Sequence, residues 1–125
     1  MRRLLVIAVL AASFLLPVQA RAQAVISVDI TKARLAWTWT QGTGGAVAEF
    51  RVKCGPSAGT YTSTTVLTDP ATRSVPVQQV VTGPGNYFCA VTAANQFGES
   101  GPSNEVPFVA GNAPAAPSGL QITAQ

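Results

Sequence analysis

The sequence contains no histidine, and charged residues make up only 10% of its 125 residues. Without an imidazole, a Ser-His-Asp triad, a histidine base and a histidine-ligated metal site are all excluded. The few carboxylates are scattered, and nothing in their spacing places Glu99 and Glu105 as a glycosidase pair. No Asp-x-Asp cluster suits calcium, and the glycine-rich residues 42–45 lack the lysine of a phosphate loop. We therefore predict no enzyme activity, no cofactor and no metal ion.

A basic surface is also lacking in the part of the chain that we expect to fold. The formal net charge of +3 rests on Arg2, Arg3 and Arg21 near the N-terminus. Eight basic residues less these three leave five, which the five acidic residues balance. Nucleic-acid binding needs a basic face that neutralises phosphates, so we predict no nucleic-acid partner.

The N-terminal residues have the pattern of a secretory signal. Two arginines precede a nearly unbroken apolar run over residues 4–18, and small residues follow it. We expect a signal peptide over residues 1–22, cleaved after Ala22, with cleavage after Ala20 or Ala24 as alternatives. A membrane anchor is the competing interpretation, but a run of about 15 residues is short for a span that needs roughly 20. We predict a secreted or periplasmic location and no membrane contact after the signal is removed.

The remaining residues are rich in Thr, Val and aromatics and are punctuated by Gly/Pro/Asn/Ser clusters. Such a texture predicts short strands, here over residues 25–30, 33–40, 50–54, 61–67, 74–81, 87–93 and 104–109. With about 100 residues after the signal, the size suits one immunoglobulin-like sandwich. The predicted fold is all-β, a sandwich of about seven antiparallel strands over residues 23–110, followed by a Pro/Ala-rich linker over residues 111–125.

Alternation within the predicted strands assigns an inner face, because successive side chains of a strand point to opposite sides. The predicted core consists of Leu35, Trp37, Phe50, Val52, Tyr87 and Val91.

Two aromatic residues are candidates for contact with a ligand. Trp39 shares the face of Trp37, where it either covers the open end of the sandwich or is exposed for stacking on sugar rings. Phe97 lies at the tip of a predicted loop over residues 95–103, and loops on a rigid scaffold often carry binding. Phe97 is the better candidate of the two, although either residue can have a packing role.

Several stretches together resemble bacterial fibronectin type III domains over residues 25–110. They are FRVKCG at 50–55, GTY at 59–61, YFCAVTAAN at 87–95, GESG at 98–101 and SNEV at 103–106. The resemblance implies that Trp37 is the family's buried tryptophan. It also implies that Tyr87 is a corner tyrosine whose hydroxyl bonds the backbone around residues 81–83.

The chain departs from that family's pattern at two places. Cys54 and Cys89 occupy positions that are usually aromatic, on inward faces of strands that the fold makes neighbours, and we predict a disulfide between them. A pair of free thiols is the alternative. The family's opening Pro-x-x-Pro-x-x-Leu stretch is absent near the N-terminus but present at residues 114–120. That stretch is either a plain tail or the start of a truncated second repeat.

These features predict a secreted, non-catalytic module that acts as a spacer, an adhesion domain or a surface-interaction domain. Its partner is expected to be a protein or carbohydrate surface, and the module itself is expected to be monomeric. No Arg-Gly-Asp motif is present, so integrin binding is not implied. The alternatives are a carbohydrate-binding accessory module and a fragment of a larger multi-repeat extracellular protein.

Overall fold

The structure is a computed structural model that describes residues 24–124. The predicted signal at residues 1–22 lies outside this range. Within it the chain forms eight strands: β1 Ile26–Asp29, β2 Arg34–Ala36, β3 Glu49–Gly55, β4 Ser63–Leu67, β5 Ser74–Pro76, β6 Gly85–Asn95, β7 Gly98–Glu99 and β8 Val106–Gly111. A single turn of 3₁₀ helix, Val77–Gln79, follows β5.

Two sheets form the predicted all-β sandwich. The larger sheet has the order β1-β8-β6-β3-β4, with β7 added to β6, and the smaller sheet pairs β2 with β5. One pair departs from the antiparallel prediction, because β1 runs parallel to β8. Directly after β1 the chain turns sharply, with the backbone N–H groups of Lys32 and Ala33 bonded to Asp29 O, and it crosses into the smaller sheet. The first strand therefore joins the larger sheet at an edge beside the last strand.

Several predicted strand ends were wrong. The second strand was predicted over residues 33–40 but ends at Ala36, since the chain leaves the sheet through the glycine-containing segment before β3. The fifth was predicted to reach residue 81 but ends at Pro76, which has no backbone N–H for a ladder and precedes the 3₁₀ turn. By contrast, β6 is longer than predicted, and the predicted loop over residues 95–103 contains the short strand β7.

The core lies between the sheets, and the predicted faces point into it. Phe50 and Val52 are each 1% exposed. The other four predicted core residues pack against the central cluster while remaining partly exposed: Leu35, Trp37, Tyr87 and Val91. Alternation missed the valines that follow Pro76, because Val77, Val80 and Val81 are buried by a helical turn rather than by a strand.

Cys54 and Cys89 form the predicted disulfide. The two residues lie directly opposite each other in the β3–β6 register, and their sulfur atoms are 2.08 Å apart. Their Cα atoms are 4.2 Å apart, close to the ~4.5 Å of a non-hydrogen-bonded antiparallel pair. The bridge therefore ties together the two central strands of the larger sheet.

Tyr87 makes the predicted corner. Its hydroxyl donates a hydrogen bond of 2.7 Å to Gly83 O, and its ring stacks on Phe108 at a centroid distance of 5.8 Å. Tyr87→Phe keeps the ring and removes this one bond, so the free energy of unfolding should fall by about 1 kcal/mol. Urea denaturation of both proteins measures the difference. An unchanged midpoint would show that the corner bond adds nothing to stability.

Candidate interaction surface

Phe97 is held at the tip of the β6–β7 hairpin and is 84% exposed. Asn95 and Gly98 pair across this hairpin, which leaves Gln96 and Phe97 as its two turn residues. The φ of Gly98 is +148°, a conformation that a side chain disfavours. The local backbone thus fixes the turn that presents the aromatic ring to solvent.

Asn95 ties this turn to the loop between β2 and β3. Its Oδ1 accepts a 2.9 Å hydrogen bond from the backbone N–H of Phe97, and its Nδ2 donates a 2.9 Å bond to Ala46 O. Gly45 packs closely beside it, and a Cβ at that position would lie 3.1 Å from Asn95 Nδ2, so a larger residue would require the Asn95 side chain to shift. An aromatic side chain on a turn braced in this way loses little freedom on binding, which favours affinity.

An open depression of about 230 Å³ lies beside the hairpin, between it and the β2–β3 loop. Its lining carries no ionisable side chain: Trp39, Thr40, Gly42, Gly44, Gly45, Val47, Ala93, Ala94, Asn95, Gly98 and Ser100. The small residues leave the space, and the amide of Asn95 and the hydroxyl of Ser100 in its wall are already hydrogen-bonded within the protein. Together with the exposed ring of Phe97, this end of the sandwich offers an apolar anchor next to a neutral recess.

Trp39 closes the end of the core rather than forming an open platform. Its ring meets that of Phe50 edge-on at 6.1 Å, and the guanidinium of Arg73 lies over both rings, at 5.8 Å and 5.1 Å. Trp39 is accordingly only partly exposed. Of the two sequence candidates for ligand contact, Phe97 is thus the one with a free aromatic face.

A charged network covers the outer face of the larger sheet next to this end. Glu99 Oε2 lies 2.7 Å from Lys53 Nζ, and Glu99 Oε1 lies 3.1 Å from Arg51 Nη1. Arg51 Nε also pairs with Glu49 Oε2 at 2.6 Å. Beneath these groups the hydroxyl of Thr92, which is 4% exposed, donates to Glu99. The hydrogen bonds from Lys53 and Thr92, with the charges of Lys53 and Arg51, lower the pKa of Glu99 to about 2.

The lowered pKa of Glu99 predicts a loss of stability in acid. Because this carboxyl has a lower pKa in the folded state than in the unfolded chain, its contribution is full above about pH 4.5 and disappears as the pH falls towards about 2. Glu99→Gln should therefore lower the melting temperature at pH 7, and the gap from the parent should close between pH 4.5 and pH 2. A gap that stays constant over that range would contradict the ion-pair assignment.

Glu105 belongs to a separate contact. Its Oε2 accepts hydrogen bonds from Gly59 N at 2.8 Å and from the Tyr61 hydroxyl at 2.5 Å. The bond to Glu105, with some burial and the nearby negative charge, raises the pKa of Tyr61 to about 12. Glu99 and Glu105 are thus engaged by different partners.

Sequence reasoning missed Asn95 and the two serines that follow β7. Ser100 and Ser103 each exchange two bonds with β6: their backbone N–H groups donate to Ala93 O and Val91 O, and their hydroxyls accept from Ala93 N and Val91 N. Side-chain oxygens thus satisfy the edge of β6 where no regular strand covers it. The two serines in GESGPS, at residues 98–103, were the feature of the sequence that could have indicated these hydrogen bonds.

No family model matches the chain, and no curated protein matches it. Within residues 24–124, no group of three or more His, Cys, Asp or Glu residues is arranged to hold a metal ion. The same residues include no helix that is long and apolar enough to cross a membrane.

Proposed function

We propose that this chain is a secreted, non-catalytic fibronectin type III-like module that binds a surface through the end of the sandwich that carries Phe97. The proposal draws on the combined motifs of residues 50–61 and 87–106 and on the all-β sandwich. The disulfide between Cys54 and Cys89 fits an oxidising compartment, where such bonds persist.

The observation that carries the proposed binding role is the exposure of Phe97 on a braced turn. When a partner covers a large aromatic side chain that is 84% exposed, apolar surface is removed from water and the free energy of binding becomes more favourable. Exposed aromatic anchors beside a recess are frequent energetic centres of protein interfaces. The uncharged lining of the neighbouring depression favours a neutral, partly apolar partner surface over a highly charged one.

A carbohydrate-binding accessory module is the second candidate. Sugar stacking prefers a flat, open aromatic face, and Trp39 does not offer one, since its ring is packed against Phe50 and Arg73. Phe97 offers a free ring, but the amide of Asn95 and the hydroxyl of Ser100 near it are already hydrogen-bonded within the protein. We therefore favour a protein surface as the partner and retain carbohydrate as the alternative.

The test compares the exported protein with Phe97→Ala on immobilised collagen, fibrinogen and mucin, and on insoluble cellulose and chitin. Val66→Ala is the matched control, because Val66 is an exposed apolar residue, at 48%, on the edge strand β4. Saturable binding to a protein surface that Phe97→Ala weakens about tenfold or more, and Val66→Ala does not, supports the proposal.

Binding only to cellulose or chitin would replace the protein-binding role with the carbohydrate one. Binding that both variants retain would place the contact away from Phe97. No binding to any of these surfaces would favour a spacer.

A further inference from the structure

One edge of β2 has no strand partner among the described residues. In the smaller sheet β2 pairs only with β5, and this pairing continues through the 2.9 Å bond from Trp37 N to Arg73 O. Backbone groups of successive residues in an antiparallel strand point to opposite sides. Arg34 and Ala36 therefore direct their N–H and C=O groups away from β5. These groups form a free edge that is available to another strand.

A groove of about 350 Å³ runs beside this free edge. It lies between β2 and the segment that leads into β8, and its lining includes Leu35, Trp37, Val91, Ser103, Asn104 and Val106. The apolar residues of this lining pack against the buried core cluster. Trp37 Nε1 is buried and has no acceptor within residues 24–124. A strand laid along β2 would place its side chains on these apolar residues, and its backbone carbonyls would reach the buried indole N–H only if the ring of Trp37 turned outward.

The C-terminal segment has side chains that match such a groove. Residues 112–124 are all exposed, and Leu120 and Ile122 are each 99% exposed. Because they are two residues apart, they lie on the same side of an extended strand, whereas Gln121 and Thr123 lie on the other. Neither residues 112–124 nor the groove lining contains an ionisable side chain. No charged group is therefore desolvated when they pack together.

We propose that residues 120–124 of one copy, which follow the left-handed Gly119, add as a strand to the free edge of β2 in a second copy, with Leu120 and Ile122 in the groove. The tail leaves β8 at Gly111, whereas the groove lies by Val106 at the opposite end of that strand. Two prolines between residues 112 and 119 favour an extended tail, which carries Leu120 outward rather than back along its own sheet.

Each copy offers one tail and one groove, so two copies can exchange tails reciprocally or successive copies can associate head to tail, and either arrangement replaces the monomer expected from the sequence. Unless the geometry closes a ring, head-to-tail contacts build chains of copies. The residues involved do not include Phe97, so this inference is independent of the proposed binding function.

The test measures the mass of the exported full-length protein by sedimentation over a range of concentrations. We expect the average mass to rise with concentration. Leu120→Asp with Ile122→Asp should weaken this association about tenfold or more, because two apolar contacts are lost. Gln121→Asp with Thr123→Asp is the matched control, since it adds the same charge to the opposite side of the strand and should retain the association.

The groove side is tested with Ala36→Pro, which removes an N–H from the free edge and leaves the Trp37–Arg73 bond in place. Should this variant unfold, a synthetic peptide of residues 112–124, added to the parent protein, replaces it as the probe. The peptide should compete with association and change the tryptophan fluorescence of the protein.

Three results would overturn the proposal. A protein that stays monomeric at every concentration and does not bind the peptide has no such site. Equal loss in both aspartate pairs would mean that charge, not strand addition, controls association. A monomer whose own tail is protected from proteolysis would place the tail in its own groove.

Discussion

Replacing Cys54 by alanine and Cys89 by valine in one protein should lower the free energy of unfolding by roughly 3–4 kcal/mol. The bridge closes a loop with a sequence separation of 35, and in the chain-entropy account it restricts the unfolded chain by about that amount. A domain of this size has a total stability of about 5–15 kcal/mol. The variant should therefore retain its fold but unfold at a much lower urea concentration.

The replacement of both cysteines by serine is the comparison for this experiment. Cys54 is 1% exposed and Cys89 is 3% exposed, so each serine would place a hydroxyl in the core without an assured partner. We expect the serine pair to be less stable than the Ala/Val pair. A stability of the Ala/Val pair within about 1 kcal/mol of the parent would show that β3 and β6 hold their register without the bridge.

The disulfide and the inner faces were predictable because strand alternation is local. Side chains two residues apart share a face, so Phe50, Val52 and Cys54 had to point the same way once β3 was identified. By the same rule Arg51 and Lys53 alternate with these residues, and they lie on the outer face in the structure. The pairing of Cys54 with Cys89 required one further assumption, namely that the two strands are neighbours.

Strand partners and strand ends were less predictable, since they depend on the whole fold. Nothing in the sequence of β1 distinguishes a parallel partner from an antiparallel one, and its place beside β8 follows from the turn after Asp29. Similarly, Val77 continues the apolar pattern of β5 but lies in a helical turn. In both cases contacts between residues far apart in sequence determine the outcome: the strand partner of β1 in the first and the backbone conformation at Val77 in the second.

In the candidate surface, too, local features were predictable from the sequence and long-range contacts were not. Phe97 could be placed on an exposed tip because Asn-Gln-Phe-Gly is a turn sequence between apolar stretches. The brace from Asn95 to Ala46 was out of reach, because it joins residues 49 apart through a loop whose path no local pattern fixes. The ion pairs of Glu99 likewise depend on β7, which had been assigned to a loop.

Phe50→Ala should be strongly destabilising, because Phe50 is among the most deeply buried large side chains of the described residues. Phe50 is 1% exposed. The centroid of its ring lies 5.6 Å from that of Trp37, 6.1 Å from that of Trp39 and 5.1 Å from Cζ of the Arg73 guanidinium. Truncation of a buried phenylalanine costs about 3–5 kcal/mol, through lost apolar contact and the cavity that remains. Urea denaturation should show this loss, together with altered fluorescence of both tryptophans.

Phe97→Ala is the matched control, because it makes the same chemical change at a residue that is 84% exposed. Its effect on stability should stay within about 0.5 kcal/mol, as for other surface substitutions. Trp37→Ala should fall between the two, since Trp37 packs on the core but is partly exposed. If Phe50→Ala and Phe97→Ala had equal effects, the burial of Phe50 against Trp37, Trp39 and Arg73 would add nothing to stability. A large loss from Phe97→Ala alone would instead make Phe97 a structural residue and remove the basis for its proposed role in binding.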